Sequence, residues 1–274
     1  MSSSSLASEH VRRPTRIGDA RLVAHQLRYD LLGVWRDPQS RFFTIILPLI
    51  FLVLLTSLFG NHTVHVDGRA IRASTYYVPG IATLGIIATA FVNLVITITG
   101  QRESGVLKRR RSTPVPAWVL IASRALASAI LASAIVAVIV AIGRVVYGVH
   151  LPSSTLPAFA LAVIVGAAVF CCLSFAAASF IRNENSAQPT IQAIILPLYF
   201  ISGVFVPRDQ LPSTLRGIAS VFPVSHLNSA LFKAFDPAST GSGIAASDLL
   251  ILAIWGAAGL LIALRRFRWT PQSI

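Results

Sequence analysis

The sequence predicts an all-α integral membrane protein: six transmembrane helices, an N-terminal amphipathic interfacial helix, and outer re-entrant helices between spans five and six. Three observations predict it. Of the 274 residues, 54% are hydrophobic and only 12% charged, with a mean hydropathy of +0.71. That is more apolar surface than a water-soluble domain can bury. The apolar residues form long continuous runs, which suit helices rather than the alternating strands of a barrel; these are the two structures that satisfy their backbone in lipid. Lys and Arg crowd into alternate loops, as multi-span topologies require.

Residues 1–16 are rich in Ser and Arg and read as a disordered tail. The remainder, 17–274, reads as a single membrane domain without a tandem repeat. From Ile17 to Trp35, Val23, Leu27, Leu31 and Val34 recur at helical spacing between Arg21, His25, Arg28 and Asp30. This suits a helix lying along the inner membrane face with Trp35 as anchor. About forty mostly polar residues precede the first apolar run, so no cleavable leader is expected and the first span serves as its own insertion signal.

The spans are expected at about 42–59, 77–99, 117–147, 156–181, 188–206 and 245–264. The fifth and sixth reach the usual ~20 residues only with polar extensions. With both termini cytoplasmic, sixteen of the 23 Lys and Arg residues fall inside, in the N-terminal segment, the loop from Gln101 to Pro114, the turn at Arg182 and the C-terminus. Five fall outside: Arg69, Arg72, Arg208, Arg216 and Lys233. This bias accounts for the formal charge of +13 as topology in the plasma membrane, and nucleic acid is not an expected partner.

Several chemistries are disfavoured. No Asp or Glu lies within an apolar run, which argues against ion-driven transport through a midplane acid. No phosphate loop is present, so any ATP, with its magnesium, must sit on another subunit. The adjacent Cys171 and Cys172 read as small hydrophobes rather than a disulfide or metal site. Ser225-His226 lacks a suitably placed acid in the sequence, so a hydrolase is disfavoured. No catalytic, cofactor or metal residue is assigned to this chain.

Other features carry two readings each. Ala125, Ala129, Ser133, Ala137 and Ala141 form a ladder spaced by four; it serves close helix packing within one subunit, with a dimer seam as the alternative. Arg124 and Arg144 bound the most apolar part of the third span and are expected to snorkel to their interfaces. Asn93 and Gln192, with Tyr199 and Phe205, are candidates for a translocation path. Interhelical hydrogen bonding for the polar pair and interfacial anchoring for the aromatics are the alternatives. The stretch Pro207 to Ala246 combines Pro207, Pro212 and Pro223 with Leu211, Leu215, Ile218, Val221 and Phe222, which fits short helices dipping into the outer leaflet.

The loop Gln101 to Pro114 places an acid, a glycine and a basic cluster between two apolar runs. It is the best candidate for contact with something soluble. Its Glu103-Ser-Gly105-Val-Leu107, followed by Ser112-Thr113-Pro114, resembles the loop between spans two and three in the permease subunit of type-2 ATP-binding-cassette (ABC) exporters. Leu196-Pro197, Ser202-Gly203-Val-Phe-Val-Pro207, Leu211-Pro212 and Pro223 resemble that family's fifth span and outer segment. The resemblance covers nearly the whole chain. It implies two permeases, a homodimer or a pair with a sister permease, working with two ATPase subunits that bind ATP and magnesium. It further implies a coupling helix on the ATPase carrying Glu103, Gly105, Leu107, Thr113 and Pro114, with Glu103 paired to a cationic partner residue. Export of a drug or antibiotic is the implied activity; polysaccharide or lipid-linked glycan export uses the same fold, and an ion-coupled carrier is the competing class.

Overall fold

The computed structural model describes residues 27–29, 31–33, 36–59, 62–66, 68–106, 117–151, 154–181, 183–236 and 241–266. The tail 1–16 and Trp35 lie outside these; of the amphipathic segment, 27–29 and 31–33 are helical.

Helix α1 comprises Pro38–Arg41, a π-helical stretch Phe42–Ile46, and Leu47–Phe59. Pro48 follows the π stretch and lacks the N–H that would continue an α-helical ladder. A hairpin comes next, β1 (Thr63–Val66) paired antiparallel with β2 (Arg69–Arg72), in register Thr63 to Arg72. The all-helical expectation omits this hairpin. Its Val64, Val66 and Ile71 alternate with His65 and Ala70, and Gly68, at φ +76°, leads into β2.

Helix α2 runs Ala73–Ile87, a π stretch Ala88–Val92, and Asn93–Glu103. It is the core of the molecule: 89% of its most apolar stretch is buried, against 22% for α1. Helices α3 (Ala117–Tyr147), α4 (Leu156–Ala178) and α5 (Glu184–Ile201), with α1, pack around it. A helix apolar on every side fits such an enclosed place. Its hydroxyls are satisfied locally: Thr89 and Thr99 donate to the carbonyls of Gly85 and Val95 four residues back.

Beyond α5 come α6 (Ser213–Ala219), α7 (Pro223–Phe235) and α8 (Ala246–Arg266). Buried α7 wedges between α2, α4 and α8, whereas α6 is largely exposed. Helices α4 and α8 form the most extensive helix pair. Gly256 and Gly259 allow it: a Cβ at 259 would stand 3.1 Å from the Leu173 nitrogen.

Among the described residues, five helices are long and apolar enough to cross a membrane: Phe42–Phe59, Ala73–Glu103, Ala122–Tyr147, Leu156–Ala178 and Ala246–Arg266. Helix α5 has 18 residues but begins Glu-Asn-Ser-Ala-Gln, which lowers its hydropathy below theirs. It also stops at Ile201, not at 206, because Gly203 turns the chain with φ +83°. The small-residue ladder seats against the core only over Ala125 and Ala129. Ser133, Ala137 and Ala141 instead line an apolar groove of about 860 Å³ between α3 and α4, so there the small side chains leave space rather than bring a helix close.

Candidate functional site

The end of α2 that leads into the 101–114 loop is a corner where four helices meet. After Glu103 the helix closes with Ser104 N donating to Gly100 O (2.9 Å) and Gly105 N to Arg102 O (3.2 Å). Gly105 has φ +71°, the left-handed conformation that ends helices and favours glycine. Leu107, Thr113, Pro114 and the run Arg109–Arg111 lie outside the described residues.

The two residues before that turn reach in different directions. Arg102 is 1% exposed; its Nη1 donates to Ala178 O at 2.9 Å and its Nη2 to Ile181 O. Ala178 is the last residue of α4, whose final carbonyls lack helical partners. The guanidinium supplies donors there and places positive charge at the negative end of the helix dipole. Glu103 Oε2 accepts from the backbone N–H of Glu184 at 2.8 Å, at the first residue of α5. Asn183 caps the same end, its Oδ1 accepting from Ser186 N at 2.9 Å. The carboxylate expected to meet a partner's cation therefore has an internal partner, the N-terminus of α5.

Beside this corner lies a cavity of about 390 Å³. Asn93, Thr97, Ser40 and Gln101 line it, with Asp37 and Glu184 contributing acid. Asn93 Oδ1 accepts from Ser40 Oγ at 2.7 Å, joining α1 to α2. Arg124 does not snorkel: it is 6% exposed and donates from Nη2 to Gln101 Oε1 at 2.8 Å. Burial of a guanidinium requires such an acceptor, and a neighbouring helix supplies it. Arg144, at the other end of α3, is exposed.

The four residues proposed for a path do not gather in one place. Asn93 faces the cavity. Gln192 is half-buried on α5. Tyr199 and Phe205 meet at the opposite end, edge-on with ring centroids 6.3 Å apart, and Phe51 of α1 joins Phe205 at 5.3 Å. There the turn after α5 is held by side chains. Tyr76 Oη donates to Gly203 O, and Asn228 Nδ2 donates to Gly203 O at 2.8 Å. Non-helical backbone within a membrane protein needs such partners.

One acid was not legible in the sequence. His226 Nδ1 lies 2.6 Å from Asp248 Oδ1, and its Nε2 lies 2.8 Å from Ser220 O. The acid thought absent beside Ser225-His226 comes from the first turn of α8. The His226 Nε2 is engaged by a carbonyl rather than by a nucleophile, so the arrangement is not a Ser-His-Asp relay. Residues 22 apart on two helices carry no common motif by which to find them.

A family model of the ABC-2 type transporter matches residues 23–235, from the N-terminal segment to the end of α7. No curated protein matches the chain.

Proposed function

The chain belongs to the ABC-2 type transporter family, and from that premise we propose that it is the membrane-spanning permease of an ATP-driven exporter for an amphipathic small molecule such as a drug or antibiotic. Membrane embedding and the permease role follow from the family and the apolar helices. In the proposed assembly, the protein sits in the plasma membrane with both termini inside and α5 as the sixth span, while α6 and α7 dip into the outer leaflet. Two copies pair as a homodimer and engage two separate ATPase subunits, which bind ATP and magnesium.

The observation that carries this reading is the loop end of α2. A buried helix ends at Gly105, just ahead of the basic residues Lys108 to Arg111 in sequence, and its last residues grip two neighbouring helices. Force applied to that loop reaches the bundle core through short, charge-assisted contacts. Glu103, Gly105, Leu107, Thr113 and Pro114 are assigned to coupling. Asn93, Gln192, Tyr199 and Phe205 are assigned to the path.

Reconstitution with the co-purified ATPase into vesicles, followed by a panel of amphipathic compounds, tests the function. ATP-dependent accumulation of one or more compounds is expected, and loss of accumulation in Glu103→Ala without loss of ATP hydrolysis. Transport that follows a proton gradient without ATP would contradict it.

A further inference from the structure

We infer that Arg102 and Glu103 make the α4–α5 corner a second driven element, which follows α2 as one body when the loop is moved. The inference rests on the permease reading above and names positioning residues within it.

The contacts have complementary signs. Arg102 brings a cation to the carbonyl end of α4, and Glu103 brings an anion to the amide end of α5. Each charge sits where a helix dipole favours it. Adjacent in sequence, the two side chains hold the end of α4 and the start of α5, on both sides of the junction between them. Opening the Arg102 joint would strand a buried guanidinium together with the Ala178 and Ile181 carbonyls, so the joint stays closed while its surroundings move. Gly100 adds a close fit: a Cβ there would fall 2.7 Å from the Glu184 carboxyl group. Helix α5 then runs from this joint for 18 residues, about 27 Å at 1.5 Å per residue. It ends at the turn that Tyr76 and Asn228 hold by Gly203. Displacement of the loop end of α2 thus tilts α5 and pulls on the turn at its far end. Coupling does not depend on α2 and α3 alone.

In this arrangement Glu103 acts as a hydrogen-bond acceptor, not as a charge offered to the ATPase. The two roles separate in Glu103→Gln, which keeps an oxygen acceptor and loses the charge.

The test uses the full chain purified with its ATPase, in a Cys171→Ala, Cys172→Ala background, diluted with unlabelled copies. Spin labels at Val145→Cys and Ser104→Cys report the loop end of α2; labels at Val145→Cys and Asn185→Cys report the corner. Pulsed electron–electron distances are compared without nucleotide and with magnesium-ATP and vanadate. Both pairs are expected to shift together in the otherwise unaltered protein and in Glu103→Gln. In Glu103→Ala and in Arg102→Met the Ser104 pair still shifts, while the Asn185 pair loses most of its shift and broadens. Should Arg102→Met fail to fold, the exposed Glu103 pair of variants decides alone. An Asn185 pair that stays still while the Ser104 pair moves overturns the inference and leaves the permease reading standing. So does an Asn185 shift unchanged in Glu103→Ala, or one lost in Glu103→Gln. If neither pair responds to nucleotide, the permease reading fails, and this inference with it.

Discussion

At the scale of single residues, the polar contacts differ in weight because they differ in burial. His226 is 6% exposed, with a hydrogen-bond partner at each ring nitrogen. A carbonyl only accepts, so Nε2 carries a proton, and Asp248 satisfies the other side. Asp248→Ala is expected to destabilise the protein by about 1–3 kcal/mol, the range for stranding a buried polar group. Asp248→Asn keeps an oxygen and should lose less; thermal unfolding in detergent orders the two. The Arg69–Asp236 pair (2.8 Å) differs, because the Arg69 side chain is 48% exposed. Arg69→Gln keeps an amide donor for Asp236, whose side chain is 8% exposed, and should change stability by about 1 kcal/mol, read in the same unfolding assay. At Gly105 no atom of the described residues beyond its chain neighbours lies within 4 Å of the place a Cβ would take. Gly105→Ala therefore meets no clash and costs only the left-handed backbone, about 1–2 kcal/mol. An unchanged unfolding temperature would show that the turn is not held.

At the scale of elements, a leucine introduced on each of two faces separates packing from lining. Gly259 faces α4 with Leu173 and Cys172 backbone atoms 3.1 and 3.2 Å from its Cβ position. Gly259→Leu should overpack the α4–α8 seam and destabilise by about 1–3 kcal/mol. Ala137→Leu points into the open groove between α3 and α4 and should stay within about 0.5 kcal/mol. Equal unfolding shifts would contradict this assignment of faces. The contrast also explains what was legible beforehand. Leu156 to Ala178 is a continuous apolar run, so its helix is written in composition. The ladder on α3 was equally visible, yet spacing says that a face is smooth, not what lies against it. Gly105 was legible because one residue's backbone sufficed. Arg102 was not: it counted only as one more inner positive charge, while its acceptors lie 76 and 79 residues away. Glu103 drew notice for its charge, but its partner is an amide 81 residues on. The hairpin escaped because two short strands between long apolar helices add little to any periodic signal.

At the scale of the whole molecule, a mostly buried α2 is ringed by helices whose outer faces stay apolar, with Ile50 and Leu54 on α1 and Leu250 and Ile254 on α8 exposed. Lipid accepts such faces where water would not. The corner at Arg102 and Glu103 and the turn at Gly203 bracket this core at its two ends, joined by α5. Helix α5, with Pro189 and Pro197 inside it, is the element that connects the two ends. In the proposed complex the basic run Arg109–Arg111 would supply long-range attraction to an acidic ATPase surface. Replacing the three with Glu should weaken ATPase recovery in a pull-down or disturb topology in accessibility labelling; normal results in both would make the run passive. The most direct measurement is isolation of the full chain from its native membranes, with subunit stoichiometry and magnesium-ATP hydrolysis determined on the same sample. A permease of this kind comes out with one separate ATPase subunit for each copy, and the complex hydrolyses ATP. A chain isolated alone, moving its cargo with no nucleotide-hydrolysing companion, would contradict the account.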